Sequence, residues 1–141
     1  MEVNYITIVG AGVIAMALGF VWYGPLFGKK WMEVIGVSET DEAHKKEMQK
    51  EMMPTMVLQF LLVMLQAYVL AHFIKIWSGA SGIETAIWVW LGFVVPTLAS
   101  SVMWTAEKTS SKLTRFMLQT GYHLVLLIIF GYILQMWGVV V

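Results

Sequence analysis

Four stretches of this chain carry no charged residue: 3–28, 52–74, 85–106 and 116–141. At a rise of about 1.5 Å per residue, about 20 apolar residues cross the roughly 30 Å hydrocarbon core of a bilayer, and each stretch is long enough. The composition agrees, with 59% hydrophobic residues, only 13% charged and a mean hydropathy of +0.74, which excludes an ordinary soluble domain. The pattern predicts an all-α fold: one integral membrane domain over residues 1–141, built as a four-helix bundle with spans at about 5–23, 54–77, 84–106 and 115–137. The opening run has no basic flank and is too long for a signal-peptide core, so it reads as a retained helix.

The first span ends in Gly19-Phe-Val-Trp-Tyr-Gly-Pro-Leu-Phe-Gly-Lys-Lys-Trp31, the signature of a membrane exit. Trp22, Tyr23 and Trp31 are amphipathic rings suited to the headgroup level, Pro25 is expected to stop the helix, and Lys29 and Lys30 stay hydrated. Lys75, beside Trp77, reads as the matching anchor at the other face, snorkelling outward. Within the first span Ala11, Ala15 and Gly19 recur every four residues. In lipid, small residues at that spacing let two helices approach closely, either inside the chain or between copies. That ladder, with the aromatic surface a four-helix bundle leaves over, leads us to expect a homo-oligomer, a dimer or trimer.

Residues 28–53 form the only long polar segment, and a short polar helix is expected within it. Ser38 followed by Asp41 resembles a capping box, and Asp41/Lys45 and Glu42/Lys46 have the i,i+4 order of a solvated helix. Pro54 then suits the first turn of the second span. With four crossings, Lys29, Lys30, Lys45, Lys46, Lys50, Lys108, Lys112 and Arg115 lie on one side, against Lys75 alone on the other. The positive-inside rule makes the first side cytoplasmic and places both termini outside.

Few side chains remain to carry chemistry. Gln59, Ser100, Ser101, Gln119 and His123 all fall within two or three helical turns of the cytoplasmic end, about 5 to 11 Å deep, and can meet there. Gln119 and His123 share a face at i,i+4, while Thr97, Ser101 and Thr105 make a polar stripe after Pro96, whose ring frees a carbonyl one turn back. Trp104 and Tyr122 would add aromatic walls, completing a polar pocket open to the cytoplasmic leaflet. Such residues also serve simply as bridges between helices. His123 is the residue to mutate first, because the ordinary pKa of histidine lies near neutrality. Gln66, His72 and Gln135 lie from midplane to the outer side. His72 and His123 differ in depth by about 10 Å or more, which argues against a bis-histidine iron site.

No cysteine is present, which removes disulfides, thiolate metal sites and cysteine nucleophiles. No phosphate-binding loop, Ser/His/Asp set or metal-ligand spacing can be read, and the spans hold no carboxylate between their ends. No enzymatic activity, cofactor, metal or nucleic-acid partner is therefore expected.

The run Trp22-Tyr-Gly-Pro-Leu-Phe-Gly-Lys-Lys-Trp31, together with Pro96-Thr-Leu-Ala-Ser-Ser-Val-Met-Trp104 and Gly121-Tyr-His-Leu124, resembles a small prokaryotic membrane-protein family, domain of unknown function 1761. The resemblance spans nearly the whole chain and implies four crossings of a prokaryotic cytoplasmic (inner) membrane. It brings no activity and no catalytic residue with it. The residues favour a non-enzymatic membrane protein that binds a lipid, a small hydrophobic molecule or a partner protein, alone or within a larger membrane complex. A small-solute transporter or channel subunit is the alternative, to be decided by where the Thr97/Ser101/Thr105 stripe points.

Overall fold

The computed structural model describes residues 2–35 and 42–139, apart from the side chains of His44, Lys45, Met48 and Gln49. Helix α1 runs Tyr5–Leu26, α2 Gly28–Ile35, α3 Glu42–Ile76, α4 Gly82–Met103 and α5 Thr109–Gly138. Among the described residues, four helices are long and apolar enough to cross a membrane: α1, the Lys50–Ile76 part of α3, α4 and α5. Large apolar side chains such as Ile6, Phe20, Leu61, Phe93 and Met117 cover their outer surfaces. In hydrocarbon that surface needs no further burial, and the chain is a multi-pass membrane protein.

Two prolines expected to bound helices are instead absorbed. Pro25 does not end α1: the last turn, Trp22–Leu26, widens to a π turn in which the Phe27 N–H donates to the Trp22 carbonyl at 3.0 Å. Widening the turn accommodates a residue that has no N–H to give. Pro54 is not in a first turn either, because residues 42–53 run without a break into the second span as one helix of 35 residues. The polar segment therefore holds α2 and the wet start of α3 rather than one separate short helix. Ser38 and Asp41 lie outside the described residues. The Thr55 hydroxyl donates to the Glu51 carbonyl at 2.7 Å, beside the bond that Pro54 cannot make. α4 carries a similar π turn at Trp90–Val94, immediately before Pro96.

The helices alternate in direction. At one end the start of α1 meets the end of α5, where the Thr7 hydroxyl donates to the Trp137 carbonyl (3.1 Å), Asn4 N–H donates to the Gly138 carbonyl (3.0 Å) and Val3 bridges Val139. Asn4 also caps α1, accepting from the N–H groups of Ile6 and Thr7 through Oδ1. At the opposite, lysine-rich end, α2 folds back across α5. α5 is the central helix: 44% of its most apolar window is buried, against 11% for α4.

The core joins Ala11 and Ala15 of α1, Val63, Ala67 and Ala71 of α3, Ala86 of α4, and Leu126, Phe130 and Leu134 of α5. Both alanines of the α1 ladder have no exposed surface, and a Cβ on neighbouring Gly12 would meet the Phe60 ring at 2.8 Å. The ladder is thus used inside the chain, against α3 and α5, and gives no reason to invoke a second copy. α4 and α5 come closer still, because at Gly82 and Gly131 each backbone occupies the place where the other's Cβ would stand. There Gln135 Oε1 accepts the Gly82 N–H at 2.8 Å, satisfying one of the free donors at the start of α4.

Candidate functional site

A concavity lies towards the lysine-rich end, between α1, α2, α3 and α5. Its volume is about 490 Å³. α1 contributes a wall of small and aromatic residues, Ala15, Gly19 and Tyr23 among them, and α2 closes one side with Trp31. α3 presents Met52, Met56 and Gln59, and α5 presents Gln119, Tyr122 and His123. Among the described residues, no charged side chain lines it.

Of the polar residues that depth along the helices allowed to meet, the structure brings together Gln59, Gln119, Tyr122 and His123. It leaves Thr97, Ser100, Ser101 and Trp104 outside. Thr97, Ser100 and Ser101 are exposed on the outer face of α4, and Trp104 is 88% exposed. Their residue types do not need the cavity, since each hydroxyl of the stripe finds its own helix: Thr97 donates to the Phe93 carbonyl (2.5 Å), Ser101 to Leu98 (2.8 Å) and Thr105 to Val102 (2.9 Å). The Thr97 hydroxyl thereby serves a carbonyl one turn back, next to the gap left by Pro96.

The aromatic residues of the first exit also differ from expectation. Lys29, Lys30 and Pro25 are exposed, as anchors at an interface would be. Trp22, Tyr23 and Trp31 instead turn inward and are half-buried. The Trp22 indole N–H donates to the Leu118 carbonyl at 3.0 Å, and its ring lies against Gly121, where a Cβ would approach it to 3.2 Å. Tyr23 stacks between Trp31 (4.7 Å) and Tyr122 (5.4 Å), tilted to both. The fold back from α1 into α2 brings these rings onto α5. Aromatic pairs of this kind contribute about 0.5–1.5 kcal/mol each beyond the area they bury. Gly121 was the available signal for the inward turn: a residue without a side chain, at the depth of the tryptophan, gives the ring its seat.

Tyr122 ties the site to the core. Its hydroxyl donates to the Ala15 carbonyl at 3.2 Å, and Gly19 leaves room for the same ring at 3.5 Å. Tyr122→Phe is expected to cost about 0.5–1.5 kcal/mol of stability, whereas Thr97→Ala costs less than about 0.5, because the first hydroxyl links helices and the second does not. Unfolding by SDS titration of the two variants reads the difference, and equal losses would contradict these assignments.

His123 is held by its own helix: Nδ1 lies 2.9 Å from the Gln119 carbonyl, and the ring stands edge-on to Tyr122 at 5.2 Å. A carbonyl can only accept, so Nδ1 carries the proton and, in the neutral ring, Nε2 presents a lone pair. His72 does the same with the Tyr68 carbonyl (2.8 Å) on a different face of the bundle, away from this cavity. Lys75 sits half-buried in the last turn of α3.

A family model described as protein of unknown function (DUF1761) matches residues 6–135. The chain belongs to that family. The DUF1761 match begins in α1 and ends in the last turn of α5, so every residue lining the cavity lies within it. No curated protein and no solved structure matches the chain.

Proposed function

We propose that this DUF1761 protein is a non-enzymatic membrane protein that holds one small amphiphilic molecule, a lipid or other small hydrophobic compound, in the cavity around His123. One observation carries the reading: amides and an imidazole from two helices converge on an uncharged hollow of about 490 Å³ walled by aromatic and methionine side chains. That combination of apolar walls and a few converging polar groups is what a small-molecule site requires. The transport alternative needed the Thr97/Ser101/Thr105 stripe to line a passage. Those hydroxyls bond to their own backbone, and Thr97 and Ser101 lie on the outer face, so they line no passage within one chain, and transport is left to a path along an oligomer axis as the second reading.

The proposal extends to setting. The gathering of eight cations at the α2 end supports a prokaryotic cytoplasmic membrane with that end inside and both termini outside. Because the chain has no cysteine, single cysteines can be introduced cleanly. Lys46→Cys should react with an impermeant maleimide only after the cells are opened, and Ser78→Cys should react in intact cells; the reverse pattern overturns the orientation. A homo-oligomer is proposed on one remaining ground, the sparsely buried α4 with the Trp88 indole exposed.

Native mass spectrometry of the protein released from its own membranes tests both occupancy and assembly. We expect a small molecule in fixed ratio to the chain, lost in Met56→Trp, which fills the cavity. Absence of any stoichiometric small molecule from the wild type overturns the binding reading, and a monomer throughout overturns the oligomer.

A further inference from the structure

We infer that the molecule held at His123 carries an uncharged, hydroxyl-bearing aromatic head of the hydroquinone class, bound through a hydrogen bond that it donates to His123 Nε2. The inference rests on the binding reading above and narrows it.

Three features select this chemistry. The first is that, among the described residues, no Lys, Arg, Asp or Glu lines the cavity. An ionised phosphate or carboxylate head placed there would lose its hydration and gain no countercharge, a large cost in a low-dielectric site. These walls therefore suit a neutral head better than a phospholipid head. The second is the state of the hydrogen-bonding groups. His123 Nδ1 is committed to the Gln119 carbonyl, which leaves Nε2, on the opposite edge of the ring, as an acceptor. Tyr122 O–H is committed to the Ala15 carbonyl and Trp22 N–H to the Leu118 carbonyl. Among the described residues no donor reaches Nε2, so the donor is supplied by the ligand. The third is the shape and softness of the walls. Phe20, Tyr23, Trp31 and Tyr122 offer flat faces, and Met16, Met52 and Met56 offer polarizable sulfur, a set that suits a planar ring better than an acyl chain.

A quinol satisfies all three by donating at Nε2, whereas the matching quinone sets acceptor against acceptor there and can accept only from the other lining donors, Tyr23, Trp31 and the amides of Gln59 and Gln119. At Nε2 the site thus favours the reduced form by binding alone, with no electron transferred. A site built to receive a hydroxyl rejects the analogue that lacks it, because its own polar group is left unpaired.

The test is calorimetric titration of the full-length protein in phosphatidylcholine nanodiscs under reducing, oxygen-free conditions. The probes are a decyl-substituted benzoquinol, its dimethyl ether, the corresponding quinone and an aliphatic alcohol of equal chain length. We expect the quinol to bind about tenfold more tightly than the ether or the quinone, the ratio one hydrogen bond of ordinary strength gives. In His123→Phe that preference should fall to within about twofold. Equal binding of quinol, ether and quinone overturns the hydroxyl assignment while leaving the cavity reading intact. Alcohol binding as tight as quinol overturns the aromatic head. Failure of all four to bind overturns the cavity reading itself. The comparison among ligands is made on the unchanged protein, so it decides even if His123→Phe does not fold.

Discussion

Gly131→Val separates α4 from α5 and should cost about 3 kcal/mol or more, a large share of the roughly 5–15 kcal/mol by which proteins are ordinarily stable. At this position a Cβ would land on the Gly82 carbonyl oxygen and press on Ala86, and Gly82 meets the Gly131 carbonyl in the same way. Neither obstacle is the end of a flexible side chain, so relief requires the two helices to move apart. That movement would also break the bond from Gly82 N–H to Gln135. In a bilayer, helix association depends on such close packing, because lipid tails compete equally for any apolar face. Gly82→Ala should lower stability in the same direction. Gly10→Ala and Gly92→Ala, which meet nothing within 4 Å, should be neutral or slightly stabilising through helix propensity. SDS titration followed by circular dichroism provides the measurement, and a Gly131→Val protein as stable as the wild type would show that α4 does not lie on α5 in this way.

Phe130→Ala is the second large effect, with an expected loss of about 3 kcal/mol. Phe130 has no exposed surface and is among the largest fully buried side chains. Truncating it leaves a hollow ringed by helices, and its neighbours lose the dispersion contacts that the ring supplied. Phe93→Ala is the matched control. That ring is 65% exposed on the outer face of α4 and meets the Phe73 ring at 6.5 Å between centroids; lipid can take the place of most of the missing atoms, and its removal should cost no more than about 1 kcal/mol. The pair separates packing within the bundle from mere apolarity, which a hydropathy scale treats alike. Equal losses for the two variants would mean that Phe93 also packs against protein, as it would in an interface between copies.

How far the sequence could be read follows from what charge and spacing measure. The crossings were legible because an uncharged run of sufficient length has one physical outcome in lipid. Their ends were less so. Pro25 and Pro54 look like boundaries to any rule about missing N–H groups, yet a π turn carries the first and an uninterrupted helix carries the second.

For the cavity, depth along an axis can be counted from residue number, but rotation about it cannot. Gln119 and His123 were placed on one face by their i,i+4 spacing. Thr97 and Ser101 share a face by the same argument, and nothing in a single sequence said that this face of α4 looks outward. The inward turn of Trp22, Tyr23 and Trp31 depends on the reversal between α1 and α2 and on a seat at Gly121, a pairing across nearly the full chain that local patterns do not register. The ladder of Ala11, Ala15 and Gly19 was readable as a contact, but its partner was not, and the partner proves to be this chain's own α3 and α5.

The way α5 meets α1 has a consequence for how the protein is made. Ribosomes deliver α1 first and α5 last, so the Trp22 indole waits for a carbonyl 96 residues downstream and the Ala15 carbonyl for a hydroxyl 107 residues away. An α1–α3 hairpin can insert and pair early through its small residues, but it has neither a finished cavity nor clasped ends. Only the arrival of the final helix completes both, so a nascent chain stalled before Leu118 would sit in the bilayer as an open, ligand-free intermediate.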